Sequence, residues 1–253
     1  MGARMAKQRD IKMAAPYLSR VWFDASMVAD PTLYPFTLPM LTPQFEIKFE
    51  RPITIFVGEN GVGKSTLIEG IAALAGYDDA GGGKGYRPVD HAIAKERSGG
   101  SLAEAFKAAW RPKITDGWFF KAESFFSVAR YLDEVNSPYA DFLSHSHGEG
   151  FMRFFEERLR RQGIYFFDEP ESALSPSRQI EFLRILNRMQ ESTICQVIMA
   201  THSPLLMVCP GADLRRITHD AVQPVTLEQT DHFRLMRDFC TDPEAFVSNA
   251  LYG

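Results

Sequence analysis

The chain has 253 residues, of which 45% are hydrophobic and 24% charged, and its formal net charge is −4 at pH 7. This composition is typical of a globular protein with one large α/β domain, and the acidic balance disfavours a globally basic nucleic-acid binder. No apolar run approaches the ~20 residues that cross a bilayer, and residues 1–12 lack the apolar core of a signal peptide. We therefore expect a cytoplasmic protein without direct membrane insertion.

The segment before residue 53 predicts an antiparallel edge. The run 17–23 alternates enough between apolar and polar residues to be a first strand, and the run 45–49 alternates strictly, as a half-exposed antiparallel strand does. A proline-rich connection over 31–43 lies between them and carries Tyr34 and Phe36. Either aromatic ring is a candidate for stacking on a nucleotide base, and packing in the core is the alternative.

Residues 58–66 read Gly-Glu-Asn-Gly-Val-Gly-Lys-Ser-Thr, which fits the phosphate-binding P-loop pattern G-x-x-x-x-G-K-[ST]. The run 53–57 before it predicts a buried strand, and the run 67–74 after it has helical apolar spacing. This context suits the motif, because the glycines let successive backbone N–H groups face a phosphate at a helix N-terminus. The pattern predicts nucleotide binding.

Three side chains of this loop have predicted roles. Lys64 is expected to reach the β- and γ-phosphates, the Ser65 hydroxyl to hold Mg²⁺, and Thr66 to donate to a nearer phosphate oxygen. The other predicted nucleotide-binding residues are Glu59, Asn60, Gly61, Val62 and Gly63.

Residues 78–162 are expected to form a small helical subdomain inserted in the α/β core. Helical patterns cover 101–110, 124–135 and 151–161, and a strand over 117–121 returns towards the core. The glycine-rich run 81–85 is open to two interpretations, a second phosphate cradle or a surface loop.

Two apolar strands of the second half end in polar residues. The strand 164–167 is followed by Asp168 and Glu169, and the strand 196–200 is followed by Thr201 and His202. A carboxylate placed like Asp168 can hold Mg²⁺ beside the phosphates, Glu169 can deprotonate the attacking water, and His202 can hydrogen-bond a γ-phosphate. The alternatives are a carboxylate pair that caps the next turn and a structural histidine.

Further elements complete the fold prediction. Helices are predicted at 177–190 and 231–239 and from Pro243, with Asp242 as its N-cap, and late strands at 214–218 and 222–227. Apolar strands that alternate with helices indicate an α/β fold with a mainly parallel sheet. Ligands bind at the carboxyl ends of such strands, where the P-loop, Asp168 and His202 are expected to converge.

With these motifs in order, the chain resembles the ABC-type P-loop ATPases from about Tyr17 to Thr218. Ser146-His147-Gly148-Glu149 is similar to their signature motif, usually Ser-Gly-Gly-Gln, and its form looks like the soluble, non-transporter branch related to the SMC and RecF group. Ser175 stands where the family usually has Asp, and Glu123 where it has a Gln that senses Mg²⁺.

The resemblance implies a single ABC-type ATPase domain over residues 1–253, with the subdomain 78–162 carrying the signature. It implies ATP and Mg²⁺ as cofactors, with Ser65, Asp168 and Glu123 near the metal and Glu169, His202 and Lys64 as catalytic residues. It also implies a head-to-tail homodimer that closes on ATP, in which Ser146, Gly148 and Glu149 contact the nucleotide of the other subunit.

Three functions fit these features. The first is an ATPase whose ATP-driven dimerisation acts on a partner protein or nucleic acid. The second is a transporter motor that docks on a separate membrane protein, and the third is a nucleotide-sensing module with little turnover. The residues that follow the signature favour the first function, and the intact set Lys64, Asp168, Glu169 and His202 disfavours the third.

Overall fold

The computed structural model describes residues 13–79, 81–84, 98–122, 152, 155–156 and 158–252. The strands are β1 (Leu18–Phe23), β2 (Glu46–Lys48), β3 (Ile53–Val57), β4 (Gly82–Gly83), β5 (Phe106–Trp110), β6 (Gly117–Lys121), β7 (Gly163–Asp168), β8 (Cys195–Ala200), β9 (Asp213–Ile217) and β10 (Val222–Pro224). The α-helices include α1 (Lys64–Ala75), α2 (Ser98–Ala105), α3 (Pro176–Ser192), α4 (Pro204–Met207), α5 (Asp231–Thr241) and α6 (Pro243–Tyr252).

The main sheet has the strand order β10–β9–β3–β8–β7–β6–β4. The five strands from β9 to β6 are parallel, and β10 and β4 pair antiparallel at the two edges. Every residue of β3, β7 and β8 is buried, as expected for parallel strands covered on both faces. The predicted α/β fold with a mainly parallel sheet is confirmed.

Successive side chains of the central strands enter two different cores, because residues of a strand alternate between its faces. On one face Phe56, Phe166 and Ile198 pack with apolar residues of α1. On the other face Phe167 and Met199 pack with apolar residues of α3. The sheet therefore has a helix layer on each face, which fixes the ends of its strands.

A smaller antiparallel sheet, β2–β1–β5, packs its apolar side chains into the same core as α1. It confirms the predicted antiparallel part of the fold. Its third strand was not predicted, because the helix expected over 101–110 is wrong: α2 ends at Ala105 and β5 follows at once. The ring of Phe106 stacks on Phe45 at 5.8 Å, and β5 pairs with β1, so tertiary contacts override local helix propensity here.

Two smaller expectations also need correction. Gly82 and Gly83 form β4 at the sheet edge, paired with Phe119 and Trp118, so this part of the glycine-rich run is neither a second phosphate cradle nor an unstructured loop. The strand expected over 222–227 ends at Pro224, and Leu227–Gln229 is a 3₁₀ helix. Within 78–162, the described residues thus contribute strands to both sheets as well as α2.

Helix ends agree with the sequence. Asp242 Oδ1 accepts a hydrogen bond from the N–H of Ala245 at 2.9 Å, which confirms the predicted N-cap of α6. Ser175 caps α3. The predictions for Glu123, for helix 124–135 and for Ser146, Gly148 and Glu149 lie outside the described residues. None of the helices in the described ranges combines the length and apolar character that crossing a bilayer requires.

Candidate active site

The candidate site lies at the carboxyl ends of β3, β7 and β8. The P-loop follows β3 and leads directly into α1, whose first residue is Lys64. Gly58 and Gly63 have φ values of 154° and 94°, which side chains rarely allow. A Cβ on Gly58 would lie 2.4 Å from the carbonyl oxygen of Ile217. The loop therefore needs glycine at this position for steric reasons.

Lys64 is buried and folds back over its own loop. Its Nζ donates to the carbonyl oxygens of Gly58 at 3.0 Å and Glu59 at 2.9 Å. Burial lowers the pKa of the Lys64 ammonium, while Glu169 and Asp168 oppose that shift. The ammonium thus sits at the loop among the carboxylates of the site, where an anionic phosphate would favour its charged form.

Ser65 and Asp168 meet across the site. The Ser65 hydroxyl donates to Asp168 Oδ1 at 3.1 Å, so the first turn of α1 contacts the last residue of β7. Burial raises the pKa of Asp168 to about 7, and Lys121 and the Ser65 hydrogen bond oppose that rise. A cation beside these two oxygens would stabilise the ionised carboxylate.

Glu169 follows Asp168 in a left-handed backbone conformation, with φ 49° and ψ 55°. Such a conformation costs a residue with a side chain on the order of 1 kcal/mol. The N–H of Glu169 donates to the carbonyl oxygen of Ala200 at 3.0 Å, which holds the turn in place. The side chain is 42% exposed, and its Oε1 lies 3.4 Å from His202 Nε2. Glu169 is thus turned out of the sheet towards His202 and open to solvent.

His202 is held by hydrogen bonds at two groups, and a third atom faces Glu169. Its backbone N–H donates to Glu171 Oε1. Its ring Nδ1 lies 2.8 Å from Nε2 of His232, a residue of α5. Its ring Nε2 is buried, lacks a hydrogen-bond partner among the described residues, and faces Glu169. Burial, with a smaller contribution from Lys64, lowers the pKa of His202 and so favours the neutral ring.

Two residues of this site were missed by the sequence reasoning. Glu171 is largely enclosed: burial raises its pKa, and its carboxylate supports the turn after β8. Its only sequence signal is its position two residues after Glu169. His232 lies 30 residues after His202, and no pattern in the sequence indicates that the two rings meet.

Tyr34 lies beside the P-loop helix, and its hydroxyl shares a hydrogen bond with the Thr66 hydroxyl. Its ring is 51% exposed. Phe36 is partly buried and packs against the core that contains α1. Of the two candidates for base stacking, Tyr34 has the free ring area, and Phe36 has the alternative role of core packing.

The structure brings Lys64, Ser65, Asp168, Glu169 and His202 to one edge of the sheet through these contacts. Glu59, Asn60 and Gly61 are exposed on the same loop, where backbone N–H groups can reach a ligand. In the described part of the chain, no group of three or more His, Cys, Asp or Glu residues could hold a metal ion. A hydroxyl and one carboxylate suit Mg²⁺, which keeps several of its waters.

Two family models match the chain in the regions that form this site. A model described as "AAA domain" matches residues 42–125, which include the P-loop. A model described as "AAA domain, putative AbiEii toxin, Type IV TA system" matches residues 143–208, which include Asp168, Glu169 and His202. Over these two regions the chain is similar to AAA domains. Together with the P-loop of residues 58–66, these matches indicate nucleotide binding.

Solved structures with a similar arrangement include the SMC head domain from Thermotoga maritima, at 16% sequence identity and a TM-score of 0.46, covering 83% of this chain and 99% of that chain. Another is cbiO1 from Clostridium perfringens, part of the ABC transporter complex cbiONQ, at 15% identity and a TM-score of 0.40, covering 82% of this chain and 91% of that chain. No curated protein matches this chain.

Proposed function

We propose that the protein is a cytoplasmic, Mg²⁺-dependent ATPase whose ATP-driven homodimerisation acts on a partner protein or nucleic acid. The observation that carries the hydrolytic part is the contact of Ser65 with Asp168 at 3.1 Å. It joins the end of the P-loop to the end of β7, with Lys64, Glu169 and His202 grouped around it.

The donor set fits a magnesium nucleotide. The Ser65 hydroxyl and the Asp168 carboxylate would hold the metal, and Glu123 is proposed to lie near it from the resemblance. Bound Mg²⁺ would neutralise charge on the phosphates. Lys64, Thr66 and the N–H groups of residues 59–66 would bind the phosphate oxygens at the N-terminus of α1. Tyr34 is the proposed stacking partner of the base.

Glu169 and His202 are proposed to act on the attacking water and the γ-phosphate. Glu169 is exposed, unlike Asp168, so its carboxylate can hydrogen-bond a water and accept its proton. His202 Nε2 faces Glu169 and has no other hydrogen-bond partner among the described residues, so it can donate to a phosphate oxygen. Lys64 would stabilise the charge on the transferred group.

Dimerisation is proposed from the resemblance of Ser146-His147-Gly148-Glu149 to the ABC signature. Ser146, Gly148 and Glu149, in the subdomain proposed over 78–162, would complete the site of the other subunit. In that arrangement ATP binding closes the dimer and hydrolysis opens it, so the nucleotide controls a contact surface.

The first test is the solution mass of Glu169→Gln with and without Mg·ATP, together with phosphate release by the wild type at high protein concentration. We expect the wild type to release phosphate and Glu169→Gln to release it at least ~100-fold more slowly. The variant should form a dimer when ATP is present. Lys64→Ala should lose nucleotide binding, whereas Ser146→Arg should keep nucleotide binding and lose the dimer together with phosphate release.

Two results would contradict the proposal. Nucleotide binding without phosphate release or any change of mass would favour a sensing module. Dimerisation and turnover that need a membrane-protein fraction would favour the transporter motor.

A further inference from the structure

His232 belongs to α5 but reaches the candidate catalytic histidine. Its Nε2 lies 2.8 Å from His202 Nδ1, and the two ring centroids are 4.9 Å apart with an interplanar angle of 58°. Both rings are partly buried. At this distance the two nitrogens share one hydrogen, so one ring donates and the other accepts.

The surroundings of His202 decide which ring donates. If His202 donated from Nδ1, its Nε2 would carry a lone pair and face Glu169 Oε1 at 3.4 Å. The lone pair of His202 Nε2 and the carboxylate oxygen of Glu169 would then repel each other at a partly buried position. If His232 donates instead, His202 Nδ1 accepts, and His202 Nε2 carries the hydrogen that faces the carboxylate.

We infer that His232 is a positioning residue: its Nε2–H donates to His202 Nδ1 and holds His202 with the hydrogen on Nε2, aimed at the side of the site where Glu169 lies. Only the use of that hydrogen by His202 in the reaction rests on the proposed function. The direction of the hydrogen bond itself is a property of the nucleotide-free protein.

The first turn of α5 gives His232 a fixed place. Thr230, which is buried, accepts a hydrogen bond from the N–H of Phe233 at 3.3 Å and donates to the carbonyl oxygen of Leu227 at 2.7 Å. On the other side, the N–H of His202 is held by Glu171, and the next residue, Ser203, donates to Gln179 Oε1 at 2.5 Å. Both rings are thus attached to backbone segments that are themselves held.

This arrangement ties α5 to the candidate nucleotide site. A change in the position of α5 would move His232 away from His202 Nδ1 and free the ring to rotate or to change its tautomer. The catalytic competence of His202 would then depend on α5 being docked, although His232 itself touches no substrate.

The direct test is NMR of the protein labelled with ¹⁵N-histidine, without nucleotide, at a pH where the rings are neutral. We expect a proton bound to His232 Nε2, no proton on His202 Nδ1, and a nitrogen–nitrogen coupling across the hydrogen bond. A proton on His202 Nδ1, or two rings without coupling, would overturn the inference. This result does not depend on whether the protein hydrolyses ATP.

Kinetics of two variants test the consequence. His232→Leu cannot donate, so we expect kcat to fall ~10-fold with little change in KM for Mg·ATP. His232→Gln keeps an N–H donor at a similar reach, so it should recover most of that loss. His219→Gln, on an exposed side chain after β9, is the matched control and should behave as wild type. Equal losses in both His232 variants, or no loss in either, would contradict the positioning role.

If the NMR result is as expected but the wild type releases no phosphate, the proposed ATPase function fails and the hydrogen-bond assignment stands. If phosphate is released but the coupling is absent, the positioning role fails alone.

Discussion

Lys121 Nζ lies 2.6 Å from Glu69 Oε1, and the two side chains are only 8% and 13% exposed. Lys121 ends β6 and stands opposite Asp168 in the register of the parallel pair β6–β7. Its charge opposes the effect of burial on the pKa of Asp168. The buried ammonium of Lys121 therefore interacts with two carboxylates, that of Glu69 on α1 and that of Asp168 at the candidate metal position.

Replacing Lys121 alone should lower the free energy of unfolding more than replacing Lys121 and Glu69 together. Lys121→Met removes the ammonium that contacts Glu69 at 2.6 Å, so we expect the free energy of unfolding to fall by about 3 kcal/mol. The double variant Glu69→Gln/Lys121→Met removes both charges and should lose less than Lys121→Met alone. Urea unfolding followed by circular dichroism measures all three proteins.

The more exposed ion pair of Arg178 with Glu181 provides the control, since its side chains are 31% and 39% exposed. Glu181→Gln should change the free energy of unfolding by less than about 1 kcal/mol. A Lys121→Met variant as stable as Glu181→Gln would show that the buried pair contributes nothing.

Asp168 should make the stability of the nucleotide-free protein depend on pH. Its pKa is about 7 in the folded protein against an ordinary value of 3.8, so the folded state holds this proton at a pH where the unfolded chain has lost it. The contribution of Asp168 to stability therefore falls as the pH rises from about 4 to 7. Asp168→Asn removes the buried charge and keeps an acceptor for Ser65.

We expect Asp168→Asn to be more stable than wild type at pH 8, by ~4 kcal/mol at most since one pKa unit is about 1.4 kcal/mol, with no gain near pH 4. Thermal unfolding across this pH range is the measurement. Asp220→Asn, whose side chain is 85% exposed, is the control and should not change the profile. A pH-independent effect of Asp168→Asn would show that ionisation is not its cause.

The central part of the fold could be predicted because its patterns are local. A β-branched run, a glycine-rich loop and a helical pattern follow one another over 53–74, and the structure has β3, the P-loop and α1 there. The strand β5 could not be predicted, because its conformation depends on β1 and Phe45, both distant in the sequence.

The candidate site, too, could be predicted only where its residues carry a local sequence pattern. Asp168 and His202 were recognised because Asp168 lies at the end of one buried strand and His202 just beyond the end of another, and such positions converge in a parallel sheet. His232 and Glu171 act through contacts with His202 that depend on how α5 and the turn after β7 pack. A single sequence carries no local signal for such contacts.

Two glycines of the P-loop should respond differently to alanine. A Cβ on Gly58 would meet the Ile217 carbonyl oxygen at 2.4 Å, whereas a Cβ on Gly61 would meet nothing within 4 Å, although Gly61 also has a positive φ of 79°. Gly61→Ala should therefore lower the free energy of unfolding only by the cost of placing a side chain at a positive φ, about 1 kcal/mol. Gly58→Ala adds a backbone collision that requires β3 and β9 to shift, so its loss should be clearly larger. Urea unfolding of both variants measures the two losses in the free energy of unfolding. Equal losses would show that the backbone around residue 58 accommodates a Cβ without a cost in stability.

Gln196 is the polar residue on which the position of β1 depends. It is fully buried near the start of β8. Its Oε1 accepts from the N–H groups of Tyr17 and Leu18, both at 2.8 Å, and its Nε2 donates to the carbonyl oxygen of Leu18 at 2.9 Å. One side chain thus satisfies three backbone groups at the start of the smaller sheet.

Gln196→Met keeps the size of the side chain but leaves those three groups without this partner. Each unsatisfied buried group costs about 1–3 kcal/mol, so we expect a loss of at least ~3 kcal/mol in the free energy of unfolding. Amide hydrogen exchange should rise first at Tyr17 and Leu18, before it rises in β3 or β8, because the missing bonds are those that hold β1. Gln223→Met, on the exposed edge strand β10, is the matched control and should stay within about 0.5 kcal/mol of wild type. If Gln196→Met unfolded at the same urea concentration as Gln223→Met, the amide would not be what fixes β1, and apolar packing of Leu18 and Val21 against the core around α1 would have to suffice.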